Sequence, residues 1–193
     1  MPAASHELPA INALTPAQLA ALFPICTLTE ARKLIAMVHR GEPVKASSAV
    51  RRLAADAVRA GTRCPSLTVD AEQASQLDPF VKYRLRTHDG HAIEAVRIPL
   101  ENPDRFTVCV SSQAGCALGC AFCATGRLGL LRNLDGWEIV EQVRTVRQRL
   151  ARGRVHGVVF QGMGEPMANL DQVLAAIAVL TDPCALGIDA RAI

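Results

Sequence analysis

Residues 109–123 have the sequence CVSSQAGCALGCAFC, and this stretch decides the fold that the chain is predicted to adopt. The stretch begins on a strand, because Phe106, Val108 and Val110 alternate with polar neighbours. A loop rich in glycine and cysteine follows, to about Asn133. A strand that leads into such a loop is the first half of a βα unit.

The residues downstream repeat this strand-loop-helix order. Asp135 and Glu138 form a capping-box pattern that opens a helix. Residues 155–160 are nearly all apolar, as strands of parallel sheets are, and residues 170–180 predict a second helix. Residues 187–193 read as the opening of a third strand. Alternating strands and helices predict an α/β fold, the first part of a truncated (βα) barrel.

The residues upstream predict a small helical domain. Residues 1–14 read as a loose leader, and Thr15 caps a first helix. A second helix is expected from Thr29 to Arg40, and a third from Ser47 or Ser48 to Gly61. The third is expected to turn these residues inward: Val50, Leu53, Ala54 and Ala57. The predicted domains are 1–65, helical; 66–105, a linker and β-hairpin; and 106–193, the barrel portion.

The hairpin is predicted from Asp89-Gly90, which separates strands at 80–87 and 92–98. In the second strand Glu94 shares a face with apolar residues, namely Ala92, Val96 and Ile98. This parity predicts a carboxylate on an apolar face. The alternative is an acid at a strand edge that reaches solvent.

Composition narrows the class of protein. The chain has 193 residues, of which 50% are hydrophobic and 20% charged, so a packed core is expected. No apolar run approaches the ~18 residues of a membrane span, and residues 1–10 show no secretory signal. We expect a cytoplasmic monomer with no membrane partner. Up to residue 65, eight basic residues face four acidic ones, which fits either a polyanionic partner or solvated helix faces.

The cysteines carry the chemistry. Of seven in the chain, Cys116, Cys120 and Cys123 lie in one short loop, and thiolates suit iron–sulfur clusters or zinc. Three ligands leave one corner of a cubane cluster open, whereas structural zinc takes four ligands. Cys109, on the preceding strand, is a conceivable fourth ligand. The other three, Cys26, Cys64 and Cys184, are expected to be buried or incidental thiols.

This loop, with Phe122 before its last cysteine, resembles that of the radical S-adenosylmethionine (SAM) superfamily. The turn Gly162-Met-Gly164-Glu165-Pro166, one βα unit later, is similar to the family's glycine-glutamate strand end. The resemblance implies a 4Fe-4S cluster on the three cysteines and SAM as the second cofactor. It also implies that Gly164 and Glu165 receive the SAM ammonium group, although such a turn alone is a weak signal.

The longer match, from Cys109 to Arg132-Asn133-Leu134, resembles the radical SAM methyltransferases of adenine in 23S rRNA, some of which also act on tRNA. The resemblance covers roughly residues 80–193, and more loosely the helical domain, which in this family contributes to RNA binding. It implies that Glu94 is the proton acceptor, helped by burial. It further implies that the Cys109 thiol resolves an enzyme–RNA adduct through a transient disulfide.

The same resemblance implies an electron donor such as a flavodoxin system, and a methyl-cysteine intermediate on a C-terminal cysteine. That cysteine would lie beyond residue 193, so we expect this chain alone not to methylate RNA. Two alternatives remain open. The chain could serve another radical SAM reaction, or be a non-catalytic RNA-binding or metal-binding remnant.

Overall fold

The computed structural model describes residues 8–102 and 104–193. The helices are α1 (Pro16–Leu22), α2 (Leu28–His39), α3 (Arg52–Gly61), α4 (Gly136–Gln148) and α5 (Leu170–Thr181). The strands are β1 (Thr68–Ala74), β2 (Val81–Arg86), β3 (Ala92–Pro99), β4 (Arg105–Cys109), β5 (Gln113–Gly115), β6 (Leu130–Asn133) and β7 (Arg154–Val159). Within the described part of the chain, no helix is long and apolar enough to cross a membrane.

Capping boxes begin the first two helices. The Thr15 hydroxyl accepts the Gln18 N–H, and the Gln18 side chain accepts the Thr15 N–H in return. Thr27 and Glu30 form the same capping box for α2. This helix therefore begins at Leu28, one residue before the predicted start at Thr29. Arg51 then binds the Glu30 carboxylate at 2.8 Å, which ties the start of α3 to the start of α2 and lowers the pKa of Glu30.

The third helix differs from the prediction. It begins at Arg52, because Ser47 pairs with Val50 in an isolated bridge instead of capping a helix. This shift turns Leu53 outward, where it is 63% exposed. Four residues supply the buried contacts in this segment: Val50, Ala54, Ala55 and Val58.

The predicted loose leader is wrong for residues 8–14. Ile11–Ala13 form a 3₁₀ turn, Ile11 is fully buried, and its N–H binds the Arg63 carbonyl at 2.8 Å. The apolar Ile11 side chain is the physical reason, since burying it outweighs the freedom of a loose segment. Residues 1–7 lie outside the described residues.

The main sheet has the strand order β1-β2-β3-β4-β7. Neighbours from β1 to β4 are antiparallel, and β4 pairs with β7 in parallel across α4, which confirms the predicted βαβ unit. The predicted hairpin is β2 and β3, with Gly90 at a φ of +89°. Strand β1 was not predicted, and β5 and β6 form a separate two-stranded sheet.

Helix α4 connects the sheet to the helical module. Its residues from Gly136 to Val146 are all buried, including charged ones. Arg144 binds Glu141 at 2.5 Å and the Val38 carbonyl of α2 at 2.8 Å. Asn12 donates to the same Glu141 carboxylate at 3.2 Å. The helical module therefore packs on α4 through a buried polar network as well as apolar contacts.

The predicted third barrel strand at 187–193 is wrong. The Asp189 side chain accepts the Arg191 N–H at 2.9 Å, and Ala190–Ala192 form a 3₁₀ turn. Such an aspartate-led turn competes with an extended backbone. The Ala192 carbonyl instead lies against Gly157 of β7, where an added Cβ would be 2.7 Å away.

Candidate active site

The end of β4 and the end of β7 meet in one buried set of hydrogen bonds. The Ser111 hydroxyl donates to the Glu94 carbonyl at 2.6 Å and accepts the Met163 N–H at 3.0 Å. The Met163 carbonyl in turn accepts the Ser112 N–H at 2.9 Å. Backbone groups that leave a sheet need such partners when they are buried. The turn 161–166 is therefore fastened to the segment that leads into the cysteines.

Two further amide side chains complete this arrangement. Gln142 of α4 accepts the Ser111 N–H at 2.8 Å and donates to the Ser111 carbonyl at 2.9 Å. Asn169 donates to the carbonyls of Ser112 and Leu134, both at 2.8 Å. We call this set of residues the polar framework. It consists of the turn 161–165 and the side chains of Ser111, Gln142 and Asn169, together with Gln113 and Asn133, whose contacts follow.

Gln113 spans the space between the two loops. Its Oε1 accepts the Glu165 N–H at 2.9 Å, and its Nε2 donates to Asn133 Oδ1 at 2.8 Å. Asn133 donates onward to the Ala168 carbonyl at 3.3 Å. Both ends of the Gln113 amide are thus used, on the turn side and on the β6 side.

Two glycines allow this close approach. A Cβ at residue 162 would lie 2.6 Å from the Val110 carbonyl oxygen, closer than side chains approach. Gly164 has a φ of +98°, and a Cβ there would lie 2.5 Å from Gln113 Cβ. The glycines of this turn are therefore required by packing, before any ligand is considered.

Glu165 ends the turn with its side chain half-buried. Its Oε1 accepts the Met167 N–H at 3.0 Å and so caps the 3₁₀ turn Pro166–Asn169. Gly164 and Glu165 thus lie next to the segment that leads to Cys116, joined to it through Gln113. Their predicted role in binding the ammonium group of SAM stays a prediction.

The cysteine loop, residues 116–129, has a different character. Cys116 is buried, while Cys120 and Cys123 are half-buried. The backbone N–H groups of Gly126 and Thr125 lower the pKa of the Cys123 thiol. In residues 8–102 and 104–193, no group of three His, Cys, Asp or Glu side chains is arranged to hold a metal ion. The structure therefore does not bring the three thiols together as a preformed site.

The donor chemistry of the loop nevertheless fits a cluster. Three thiols within eight residues, one already favoured as a thiolate by two N–H groups, are soft ligands for iron. Phe122 beside them is 92% exposed, and Leu118 and Leu128 are also exposed. Apolar side chains left in solvent indicate a loop whose final packing depends on a bound group.

Cys109 lies at the end of β4, apart from the cysteine loop. It is buried, and burial raises the pKa of its thiol, partly offset by the Gln161 N–H. Its backbone pairs with Val96 on β3 and Val159 on β7. It joins no metal-ligand group within the described residues. Of the remaining cysteines, Cys26 is buried, Cys64 exposed and Cys184 half-buried.

The predicted setting of Glu94 is wrong. The buried face of β3 carries Ile93 and Ala95, whereas the Glu94 side chain is 44% exposed on the other face. It pairs with Lys82 at 3.2 Å, so the alternative of an acid that reaches solvent is the one observed. Glu94 still shares a sheet face with Cys109, because Val96 is two residues from Glu94 and directly opposite Cys109.

A basic groove lies at the opposite end of α4 from the cysteine loop. It has a volume of about 410 Å³ and is lined by Arg32 and Lys33 of α2, Arg40 just after this helix, Arg147 of α4, and residues 183–185. Arg40 pairs with Glu42, and among the described residues that line the groove none carries a carboxylate. Since α4 has 13 residues, about 20 Å separates this groove from the start of the helix.

Fold and site together define a class of protein. A radical SAM methyltransferase from Sphaerobacter thermophilus has the same fold, with a TM-score of 0.80 and 32% identity over 95% of this chain and 55% of that one. The α/β radical SAM fold class is therefore confirmed. No family model matches the chain.

Two curated relatives of the chain are named as enzymes that methylate RNA. A probable RNA methyltransferase of Sorangium cellulosum is 56% identical over 85% of this chain and 44% of its own length. A protein of Syntrophobacter fumaroxidans named dual-specificity RNA methyltransferase RlmN is 53% identical over 63% of this chain and 35% of its length. These relatives confirm the predicted resemblance to radical SAM RNA methyltransferases, and the chain spans less than half the length of each.

Proposed function

We propose that this chain forms the part of a radical SAM RNA methyltransferase that holds a 4Fe-4S cluster and SAM. The methylated position would be an adenine carbon of 23S rRNA, with tRNA as a further candidate substrate. The observation that carries this proposal is the polar framework, which fixes Glu165 beside the segment leading to Cys116. The turn, which alone is a weak sequence pattern, is thereby held next to the segment that leads into the cysteine loop.

The residues of the chain would divide the work as follows. Cys116, Cys120 and Cys123 would hold the cluster, which supplies a one-electron reductant and an open iron for SAM. Gly164 and Glu165 would receive the SAM ammonium group, since a carboxylate and turn carbonyls attract a cation. Glu94 and Cys109 face the same side of the sheet, as proton acceptor and resolving thiol. An external electron donor such as a flavodoxin system would reduce the cluster.

The cluster proposal is tested by anaerobic reconstitution with iron and sulfide. We expect about four irons per chain, and a change in the electron paramagnetic resonance spectrum of the reduced cluster when SAM is added. Cys116→Ala should lose most of the iron. The matched control is Cys64→Ala, an exposed cysteine outside the loop, which should retain it. A Cys116→Ala protein that assembles a normal cluster contradicts the ligand assignment.

RNA binding is supported by the basic groove. Arg32, Lys33 and Arg147 line the groove beside the Arg40–Glu42 pair, and phosphates would relieve the repulsion among these cations. At about 20 Å from the start of α4, the groove would bind backbone phosphates distant from the methylated base. Such contacts set the position of an RNA and carry little sequence information.

The groove is tested with an rRNA fragment and paired charge reversals. Arg32→Glu with Lys33→Glu should weaken binding at low salt by at least tenfold and reduce the salt dependence. Arg52→Glu with Arg59→Glu, on exposed positions of α3, makes the same change in net charge outside the groove. Equal losses in the two double variants would show a nonspecific charge effect.

Methylation itself would need more than this chain provides, because the methyl-carrying cysteine of the family has no counterpart assigned here. We expect the isolated chain to bind SAM and RNA and to form no methyladenosine. Mass spectrometry of digested RNA after incubation checks this. Methyladenosine made by the isolated chain would overturn the expectation.

A further inference from the structure

Gln113 is a buried amide that no sequence motif singled out, and it is 1% exposed. It begins β5, three residues before Cys116, and its side chain points at the turn 161–165 instead of the cysteine loop. Its backbone N–H also reaches the Met163 carbonyl, at 3.2 Å. Main chain and side chain of this one residue therefore both hold the turn.

The opposite end of the amide fixes the direction of the side chain. Nε2 donates to Asn133, and the backbones of Gln113 and Asn133 are paired between β5 and β6. Strand β6 is where the cysteine loop returns to the sheet. One planar amide thus connects the entry of the loop, its exit and the turn that carries Glu165.

The turn is tightly packed against Gln113. Gly164 packs so tightly on Gln113 that even a methyl group between them would meet its Cβ at 2.5 Å. Loss of the Gln113 Oε1 acceptor would leave the Glu165 N–H donor unsatisfied, at a cost comparable to a broken hydrogen bond. Glu165 can therefore be displaced from Gln113 only by breaking this packing.

We propose that Gln113 is the positioning residue that sets Glu165 relative to Cys116, so that SAM affinity depends on a residue that touches neither SAM nor the cluster. This rests on the proposed function only for the identity of the ligand. The mechanical part of the proposal is that Gln113 holds the turn that carries Glu165. This part depends only on the contacts within the chain.

The mechanical part is tested on the 193-residue chain without cofactors, by hydrogen exchange. Gln113→Met keeps length and burial but removes both hydrogen bonds. Exchange of the amides in segment 163–168 should become at least tenfold faster. Asn12→Leu is the matched control, since Asn12 is also a fully buried amide with two hydrogen bonds, located between the helical module and α4. It should leave that segment unchanged.

The ligand part is tested after reconstitution with iron and sulfide, with SAM as the probe. Gln113→Met should keep the iron content and weaken SAM binding about tenfold, or ~1.4 kcal/mol. Gln113→Glu keeps an acceptor for the Glu165 N–H and should recover part of the protection against exchange. Combined with Glu165→Gln, the effect of Gln113→Met on SAM binding should be less than additive, because both act through one group.

The outcomes separate the two proposals. Unchanged exchange in Gln113→Met, or the same change in Asn12→Leu, overturns the positioning role. Faster exchange in a chain whose wild type binds no SAM leaves the positioning role supported and overturns the proposed function. Faster exchange with unchanged SAM affinity overturns the link between Gln113 and the cofactor.

Discussion

The polar framework and the cysteine loop adjoin at Gly115, yet they are built by opposite means. The framework satisfies its buried backbone groups with serine, glutamine and asparagine side chains, most of them fully buried. The cysteine loop leaves Phe122, Leu118 and Leu128 exposed and gathers no ligand group in the described chain. In the proposed function, the half-site for SAM would be folded by the protein alone, whereas the half-site for the cluster would be completed when the cluster binds.

Arg132 lies on β6, just after the cysteine loop, and joins this strand to α4 and to the hairpin turn; breaking this joint should have the largest effect. Arg132 binds both oxygens of Glu138, at 2.7 and 2.8 Å, and also Asp89 of the hairpin turn. Arg132→Met would leave the fully buried Glu138 without its cation, and we expect a loss of about 3 to 5 kcal/mol in the free energy of unfolding. Urea denaturation measures it.

The control for Arg132 is Arg84→Met. Arg84 is mostly exposed and pairs with Asp70 only at 3.7 Å, so its loss should cost at most about 0.5 kcal/mol. Similar losses in the two variants would show that Arg132 is not a buried joint.

The next largest difference is expected when a single methyl group is added to each region, because the two regions should lose different amounts of stability. In Gly162→Ala the new Cβ meets the Val110 backbone, and we expect a loss of about 3 kcal/mol in stability. Gly119→Ala, in the cysteine loop, has a φ of +61° but open space, and should cost about 1 kcal/mol. Thermal denaturation of both proteins checks the order, and a reversed order would contradict the assignment of rigid and loose regions.

Binding of the metal cluster should make the cysteine loop nearly as rigid as the polar framework. At a hundredfold excess of cluster over its dissociation constant, the stabilisation would be about 2.7 kcal/mol. Hydrogen exchange should slow in residues 116–129 and stay nearly unchanged in the polar framework. Slowing spread evenly over the chain would indicate that the loop is not the region completed by the cluster.

Acid should act outside both regions, on a histidine that is buried beneath α4. His39 is buried, and burial with nearby Arg144 and Arg147 lowers its pKa from 6.5 to about 3. Between these values the unfolded chain binds more protons, so stability should fall as pH drops from 6.5 toward 3, by up to about 1.4 kcal/mol per pH unit. His39→Leu should flatten that slope in urea titrations. An equal slope in the variant would contradict the buried, neutral histidine.

Local signals were enough for much of the fold. The capping boxes at Thr15 and Asp135 and the turn at Gly90 lie where the sequence predicted, because each depends on neighbours within a few residues. The parallel pairing of β4 and β7 also followed from element order. The radical SAM resemblance was carried by cysteine spacing, which is as local as a cap.

Long-range pairing decided the errors. Strand β3 has apolar residues at both parities, and the face that carries Glu94 was wrongly predicted to be the buried one. The clear alternation of β2 settles the register, since Tyr83 and Leu85 pair with Ala95 and Ile93 and bury that face. The polar framework was not predicted, because single serines, glutamines and asparagines form no periodic pattern in the sequence. Their common role becomes visible only where the ends of β4 and β7 meet.

The contacts between α4 and the N-terminal helices determine where the protein can be truncated. Its buried Glu141 and Arg144 are covered by Asn12 and the end of α2, so both would be bared in a chain that began after residue 65. A shortened gene would therefore produce a sheet whose supporting helix exposes a buried ion pair to water. Recombinant work on the cofactor half should keep the N-terminal helices for yield, whatever their part in recognising a substrate.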